Sequence, residues 1–257
     1  RMGFMNLFEC HAVASGPVAS DGSFSIASPP LAGGPHNLTL TTTDTLSTES
    51  APTDAVTASV ATGATALQSI DVSQLPASVV VDISATAGAV TLTGNDGSDT
   101  FFGNDAGDTI NAGNGGNNIS TGAGNDLVNG GTGGDTILSG GGNDIIHSGG
   151  NSSIDAGDGD DTVTAGGGDT VFGGKGSDGI TGSASDAAAY GGSSGDYLIE
   201  RTGANTFSVT SKSTAPEFGS VGTPGADSLS GVGTLLFGYD PINNTGTSVS
   251  TSDLIGL

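Results

Sequence analysis

Residues 121–147 read TGAGNDLVN, GGTGGDTIL and SGGGNDIIH, three consecutive units of nine residues. Each unit opens on a turn rich in small residues and glycine, carries Asp at its sixth place and sets a large apolar residue at its eighth. Moving outward in both directions, the apolar anchors are Phe101, Ile110, Ile119, Val128, Ile137, Ile146, Ile154, Val163, Val171 and Ile180, at intervals of 9, 9, 9, 9, 9, 8, 9, 8 and 9 residues. Two residues before the anchors stand Asp99, Asp108, Asp126, Asp135, Asp144, Asp161, Asp169 and Asp178, with Asn117 and Ser152 as the exceptions. So strict a period marks stacked repeats, because one inward side chain per unit cannot support a unit alone, whereas a stack shares a thin continuous core. Each unit reads as a turn followed by a short strand such as T-I-L or T-V-T, whose middle side chain points inward by the period of two. The glycines permit positive φ and let several carbonyls face one point.

The repeats organise an unusual composition. The 257 residues contain 47 Gly and 27 Asp+Glu against only 4 Lys+Arg, a formal charge of −23. Of these, 28 Gly and 13 Asp fall within residues 94–182. A polyanion without a basic stripe is not built to neutralise phosphates, which argues against nucleic acid and against anionic membrane surfaces. At 34% apolar and with no Trp, the chain has little material for one large conventional core. Low hydrophobicity with high net charge is otherwise a disorder signature, yet a flexible Gly/Asp linker has no reason to keep an apolar residue at every ninth place. Cys10 is the sole cysteine, so no intramolecular disulfide framework holds the chain together. No stretch approaches the roughly 18 apolar residues of a membrane span. Asp greatly outnumbers Glu, which favours turns and oxygen sites for hard cations.

The units at 94–102, 121–129, 130–138, 139–147, 156–164 and 173–181 resemble the repeats-in-toxin nonapeptide, G-G-x-G-x-D-x-(large apolar)-x, of secreted calcium-binding proteins. The resemblance implies a parallel β-roll in which two nonapeptides make one coil and calcium ions lie between turns stacked one coil apart. It implies as ligands Asp99, Asp108, Asp126, Asp135, Asp144, Asp161, Asp169 and Asp178, with Asn117 as a poorer one. Turn carbonyls such as those of Gly122, Gly124, Gly131, Gly133, Gly140, Gly142, Gly157, Gly159, Gly174 and Gly176 complete the set. Carbonyl-rich, flexible turns suit Ca²⁺ better than the smaller Mg²⁺. If alternate units stack, Asp108, Asp126, Asp144, Asp161 and Asp178 form one unbroken edge, called even below. The odd edge reads Asp99, Asn117, Asp135, Ser152, Asp169 and contains both eight-residue units, 148–155 and 165–172. The expectation is an asymmetric load, with the even edge filled and the odd edge partly empty near Ser152. Ala106 replaces a turn glycine, so the first even site is the poorest of its row.

The fold expected is all-β: a parallel β-roll over 94–182, preceded by a β-rich segment and followed by an antiparallel capping module over 183–257. Leu92 and Ile83 lie nine and eighteen residues before Phe101, so 67–93 reads as calcium-free coils capping the N-terminal end. Within residues 11–66, the stretch 21–44 alternates apolar and polar between turn signals and resembles the later strands of a bacterial immunoglobulin-like domain, and 45–66 reads as a linker or short edge strands. Fewer than 50 such residues are too few for a whole sandwich, which suggests a piece of a longer multidomain protein. Residues 1–10 read as a fragment edge or remnant. The final SDLIGL is similar to the C-terminal signals of type I secretion substrates.

No H-E-x-x-H or G-x-S-x-G motif occurs, and His11, His36 and His147 are far apart, with His147 at an outward repeat position. Gly174, Gly176 and Gly179 match a dinucleotide fingerprint only through glycine density. No enzymatic activity is therefore expected. The expected function is the calcium-binding, calcium-folded C-terminal region of a secreted or cell-surface protein of adhesin or surface-layer type. The expected partners are calcium, the type I secretion apparatus and self-assembly or cell-surface contacts. The alternative is the secretion and folding region of an exported hydrolase whose catalytic part lies elsewhere.

Overall fold

A computed structural model describes residues 4–9, 12–17, 36–43, 56–59, 67–75, 78–212, 225–240 and 245–256, with side chains described within 69–75, 78–212, 225–238 and 246–254. The protein is nearly all β, a parallel β-solenoid of about seven turns with a small antiparallel segment at its C-terminal end. One sheet, A, stacks Leu67–Asp71, Thr91–Thr93, Thr109–Asn111, Leu127–Gly131, Ile145–Ser148, Thr162–Thr164, Gly179–Thr181 and Ala226–Ser230 in parallel. The facing sheet, B, stacks Val79–Asp82, Thr100–Phe102, Asn118–Ser120, Thr136–Leu138, Ser153–Asp158, Thr170–Lys175, Ala187–Tyr190 and Thr234–Asp240. Each nonapeptide supplies one strand to one sheet, so two make a coil.

The register places the anchors of alternate units directly over one another. In sheet A the inward column runs Ile70, Leu92, Ile110, Val128, Ile146, Val163, Ile180 and Leu229. In sheet B it runs Val81, Phe101, Ile119, Ile137, Ile154, Val171, Ala188 and Leu235. All are buried, and strands such as Thr136–Leu138 alternate exposed, buried, exposed, as the period of two requires. The two columns meet as one continuous core, each large side chain contributing about 1.5–3 kcal/mol of burial. The eight-residue units are absorbed as coils one residue shorter, with the strand pairing intact through Ile137, Ile154 and Val171.

One position departs from the sequence expectation. Val81, not Ile83, lies opposite Phe101. Val79 and Val81 within the strand and Ile83 just beyond it are all buried, so the nine-residue count lands on a core residue but on the wrong rung. The coil from Val81 to Phe101 is two residues longer than the coils above it, and spacing alone does not reveal where the extra residues go.

At the C-terminal end the chain leaves sheet B after Tyr190 and returns as Ala226–Ser230 and Thr234–Asp240, which form a further coil on the stack. Tyr197–Arg201 and Thr206–Ser211 extend sheet A antiparallel, and Thr245–Ser250 does the same for sheet B. Tyr190, Tyr197 and Phe237 close this end with ring centroids 5.2, 5.7 and 5.5 Å apart, and the Tyr197 hydroxyl donates to the Gly191 carbonyl at 2.6 Å. The last six described residues, Thr251–Gly256, form a short 3-10 helix.

At the other end, His36–Thr43 pairs in parallel with Leu67–Asp71, and Val56–Ser59 with Val79–Asp82. Phe4–Glu9 lies antiparallel to both His36–Thr43 and Ala12–Pro17. The strands described within 11–66 thus attach to the solenoid's two sheets. Much of the immunoglobulin-like stretch lies outside the described residues, as do the side chains of its strands. Among the described residues no helix is long and apolar enough to cross a membrane.

Candidate cation ladders at the turns

Parallel stacking brings the acids of alternate units into two rows, one along each edge of the roll. Each acid precedes a strand by one residue, so its own backbone N–H points along the stack toward the next coil. The side chain one coil on receives it. On the even edge Asp108 N donates to Asp126 Oδ1 at 2.7 Å, Asp126 N to Asp144 at 2.8 Å, Asp144 N to Asp161 at 2.8 Å and Asp161 N to Asp178 at 2.9 Å. On the odd edge Asp99 N donates to Asn117 Oδ1 at 2.9 Å and Asn117 N to Asp135 Oδ1 at 2.8 Å. The row continues from Asp135 N to Ser152 Oγ at 3.1 Å and from Ser152 N to Asp169 Oδ1 at 2.7 Å. All these ladder side chains are buried. One carboxylate oxygen of each acid is thereby a structural acceptor, which the sequence reading, concerned only with metal, does not foresee.

The second oxygen divides the acids into two groups. In Asp126, Asp144, Asp161 and Asp178 on the even edge, and in Asp135 on the odd edge, Oδ2 is buried with no hydrogen-bond partner. The neighbouring Thr121 and Ser139 hydroxyls donate instead to the carbonyls of Ser139 and Ala156, at 2.6 and 2.7 Å. Elsewhere Oδ2 is satisfied from within. Asp99 accepts from Asn95 N at 3.1 Å, Asp108 from Asn104 N at 2.9 Å, and Asp169 from Gly166 N at 2.8 Å and Ser148 Oγ at 2.9 Å.

Five buried carboxylate oxygens without a donor are a large electrostatic penalty, and their acidities show it. Burial, followed by repulsion from Asp178, Asp144 and Asp160, pushes the Asp161 carboxyl up to about 8. Burial is also the leading cause for Asp126 and Asp178, each raised to about 6, with Asp144 and Asp108 adding repulsion at Asp126 and Asp160 at Asp178. Asp99, Asp108, Asp135 and Asp144 are raised by burial and held back by the hydrogen bonds they accept.

The turns supply oxygens beside these acids. The turn glycines at 122, 124, 131, 133, 140, 142, 157, 159, 174 and 176 all have positive φ. Gly140 shows why: its φ is +96°, and a Cβ there would run into the carbonyl oxygen of Gly122 one coil below. The carbonyls of Gly122 and Gly140 accept from Gly141 N at 3.0 Å and Asp158 N at 2.7 Å, each retaining a second lone pair. Gly130 and Gly173 leave open the space that a Cβ would fill against the orphaned Oδ2 of Asp135 and Asp178. Among the described residues no three of His, Cys, Asp and Glu converge on one point, so any cation here is held by carboxylates together with carbonyls.

Asn117 calibrates the ladder. It occupies the same position as the acids and accepts the same backbone bond, but its Nδ2 donates to the carbonyls of Gly115 and Gly130, at 3.3 Å each. Where the ladder residue is Asn, a donor therefore faces turn carbonyls. At Asp126, Asp135, Asp144, Asp161 and Asp178 a carboxylate oxygen without a donor stands where Asn117 carries its amide, and the charge of such an oxygen is offset by a cation or a proton. All-oxygen donors on a glycine-rich turn are the set a hard divalent ion of calcium's size prefers.

Three groups escaped the sequence reading. Asp186 and Asp227 continue the two ladders, accepting from Asp169 N at 2.9 Å and from Asp178 N at 3.1 Å. Asp186 was hidden because its anchor, Ala188, is small. Asp227 sits 49 residues beyond its ladder neighbour, although the Gly225, Asp227 and Leu229 spacing is that of the repeat. Beside the even acids, Asn125, Asn143, Asp160 and Ser177 make a second, exposed row: Asn143 N donates to Asn125 at 2.8 Å, Asp160 N to Asn143 at 3.1 Å and Ser177 N to Asp160 at 2.8 Å. His147 is exposed, as its outward place requires.

The fold and the turns define a class, the parallel β-roll with rows of turn carboxylates. Comparison with protein families makes the assignment specific: the model of the RTX calcium-binding nonapeptide repeat matches residues 82–110, 111–146 and 148–169. With the parallel solenoid, this makes residues 82–146 and 148–169 RTX repeats, a family whose repeats bind calcium and belong in general to secreted proteins. No curated protein matched the chain.

Proposed function

We propose that this chain is a calcium-folded structural segment of a secreted or cell-surface protein. Its ions would be held at Asp126, Asp144, Asp161 and Asp178 on the even edge and at Asp135 on the odd edge. The observation that carries this reading is the contrast at one ladder position, where the Asn117 amide bonds turn carbonyls and the equivalent carboxylate oxygens have no donor. Turn carbonyls such as those of Gly124, Gly142, Gly159 and Gly176, which stack coil upon coil on the even edge, complete the donor set. Of the ligands expected from sequence, Asp99, Asp108 and Asp169 are poorer candidates, since both of their oxygens accept hydrogen bonds. The asymmetry expected between the two edges is supported by the distribution of orphaned oxygens, four in a row against one.

Calcium supplies the positive charge that this arrangement lacks. An ion that binds only the stacked coils adds its binding energy to folding. Extracellular calcium modules bind with dissociation constants of roughly 10⁻⁴–10⁻³ M, so the chain is largely unstacked where calcium is scarce and folded outside the cell. Passage through the type I secretion apparatus in the unstacked form fits that switch. Titration with calcium followed by far-UV circular dichroism tests the reading: β signal should grow in the millimolar range, and a spectrum indifferent to calcium defeats it.

Within that function we place the chain as a rigid surface element of adhesin or surface-layer type rather than the tail of an exported hydrolase. Its support is Phe102, Leu138, Ile145 and Leu198, large apolar side chains left exposed on the folded surface. Calcium-dependent self-association in light scattering is the expected result. A particle that stays monomeric at saturating calcium favours the hydrolase tail.

A further inference from the structure

We propose that asparagine amides close the first turns of the roll in place of calcium, giving the solenoid a metal-independent N-terminal template on which the calcium-dependent coils stack. The proposal rests on the calcium reading above and concerns which turns take no ion.

Three asparagines carry it. Asn95 Nδ2 donates to the Leu75 carbonyl at 3.0 Å while its Oδ1 accepts from Gly97 N at 2.6 Å. Asn104 Nδ2 donates to the Gly88 carbonyl at 2.9 Å and to Thr86 Oγ1 at 2.7 Å, and its Oδ1 accepts from Ala106 N at 2.7 Å. In each case the amide ties its own turn to the loop one coil earlier, which is the link an ion provides between stacked turns. The same two residues then satisfy the acids of their units, through Asn95 N to Asp99 Oδ2 and Asn104 N to Asp108 Oδ2. Asn117 achieves the same end from the ladder position itself, holding the carbonyls of Gly115 and Gly130.

The first orphaned oxygen along the chain comes at Asp126, the ladder residue directly after Asn117. At Asp99, Asp108 and Asn117 every buried polar side-chain atom has a partner, whereas Asp126, Asp135 and Asp144, the next three ladder residues, each have an orphaned oxygen. The coils up to Asn117 also hold the largest side chain of the two inward columns, Phe101, together with Val79, Val81, Ile83 and Leu92. They are therefore closed by apolar burial and by backbone and side-chain hydrogen bonds, and their sheet edges face the first calcium-dependent strands, Leu127–Gly131 and Thr136–Leu138. Templated addition of coils to such an edge avoids the unfavourable first step of forming a parallel coil from disordered chain.

Hydrogen exchange read by mass spectrometry on the full chain, with and without calcium, tests the template. In EDTA, peptides within 79–119 should exchange at least about tenfold more slowly than those within 121–182, the equivalent of about 1.4 kcal/mol. Calcium should then slow the second group. Equal exchange of the two regions in EDTA overturns the template, whereas indifference of 121–182 to calcium overturns the calcium reading itself. Two substitutions address closure without depending on the fold of the whole. Asn117→Asp should add a calcium ion per chain in equilibrium dialysis and speed exchange around 115–119 in EDTA. Asp135→Asn should remove one ion and slow exchange around 130–135. Unchanged stoichiometry in both variants overturns the assignment of amide against ion.

Discussion

At the scale of the residue, the two oxygens of a ladder acid such as Asp144 differ, one accepting the Asp126 N–H and the other without a donor, and substitutions separate them. Asp144→Ala removes the acceptor of the Asp126 N–H, leaving a buried donor unpaired. It should lower stability by about 1–3 kcal/mol even in EDTA, besides weakening calcium binding. Asp144→Asn can keep the Oδ1 bond and replace the orphaned Oδ2 with a donor. It should lose calcium affinity yet melt higher than the parent in EDTA. Thermal melts of both variants in EDTA and in calcium check the pair; a parent-like EDTA melt for both would detach the carboxylate from the stack. Gly140→Ala is a different lesion. Positive φ and collision with the Gly122 carbonyl make it cost at least about 1–2 kcal/mol, with or without metal.

For the element, the unit of stability is a three-residue strand with one buried side chain. Ile137 is fully buried in the sheet B column between Ile119 and Ile154, while its neighbour Leu138 is exposed on the outer face. Ile137→Ala should therefore cost about 2–5 kcal/mol. Leu138→Thr should stay within about 0.5 kcal/mol. Denaturant melts in saturating calcium distinguish the two, and similar losses at both positions would contradict the alternation of the strand. Because each coil contacts only its neighbours, a break at Ile137 weakens the stack on both sides of it.

For the whole molecule the governing quantity is charge. Asp161, at about 8, and Asp126 and Asp178, at about 6, have folded values above that of an ordinary carboxyl. Such groups bind more protons folded than unfolded. Their contribution to the metal-free fold is thus fully present below the ordinary carboxyl value of about 4 and is lost as pH rises through about 6 and then about 8. In EDTA the roll should accordingly be more stable near pH 4 than near pH 8. In calcium the dependence should reverse, because protons compete with the ion for the same oxygens. Melting profiles across that range with and without calcium test both signs. An EDTA stability that rises with pH would show that the buried carboxyls are not titrating within the fold.

The repeat was legible because its cause is local and periodic. One inward side chain at Ile137 or Val163, an acid two residues earlier and a glycine turn before that recur in register, so the roll, its two edges and the acids along them follow from spacing. What spacing does not contain is where the chain goes when the period breaks. Val81 takes the rung that counting assigns to Ile83, Asp227 joins a ladder whose previous member is 49 residues away, and Ala226–Ser230 becomes a coil of the roll after an excursion through antiparallel strands. Nor does spacing separate the two oxygens of one carboxylate. Composition and period alone determined that this is a polyanionic stack in need of a cation. Only the tertiary structure decided which acids keep an oxygen without a donor, because that depends on whether an Asn amide, a backbone N–H or nothing at all stands beside it.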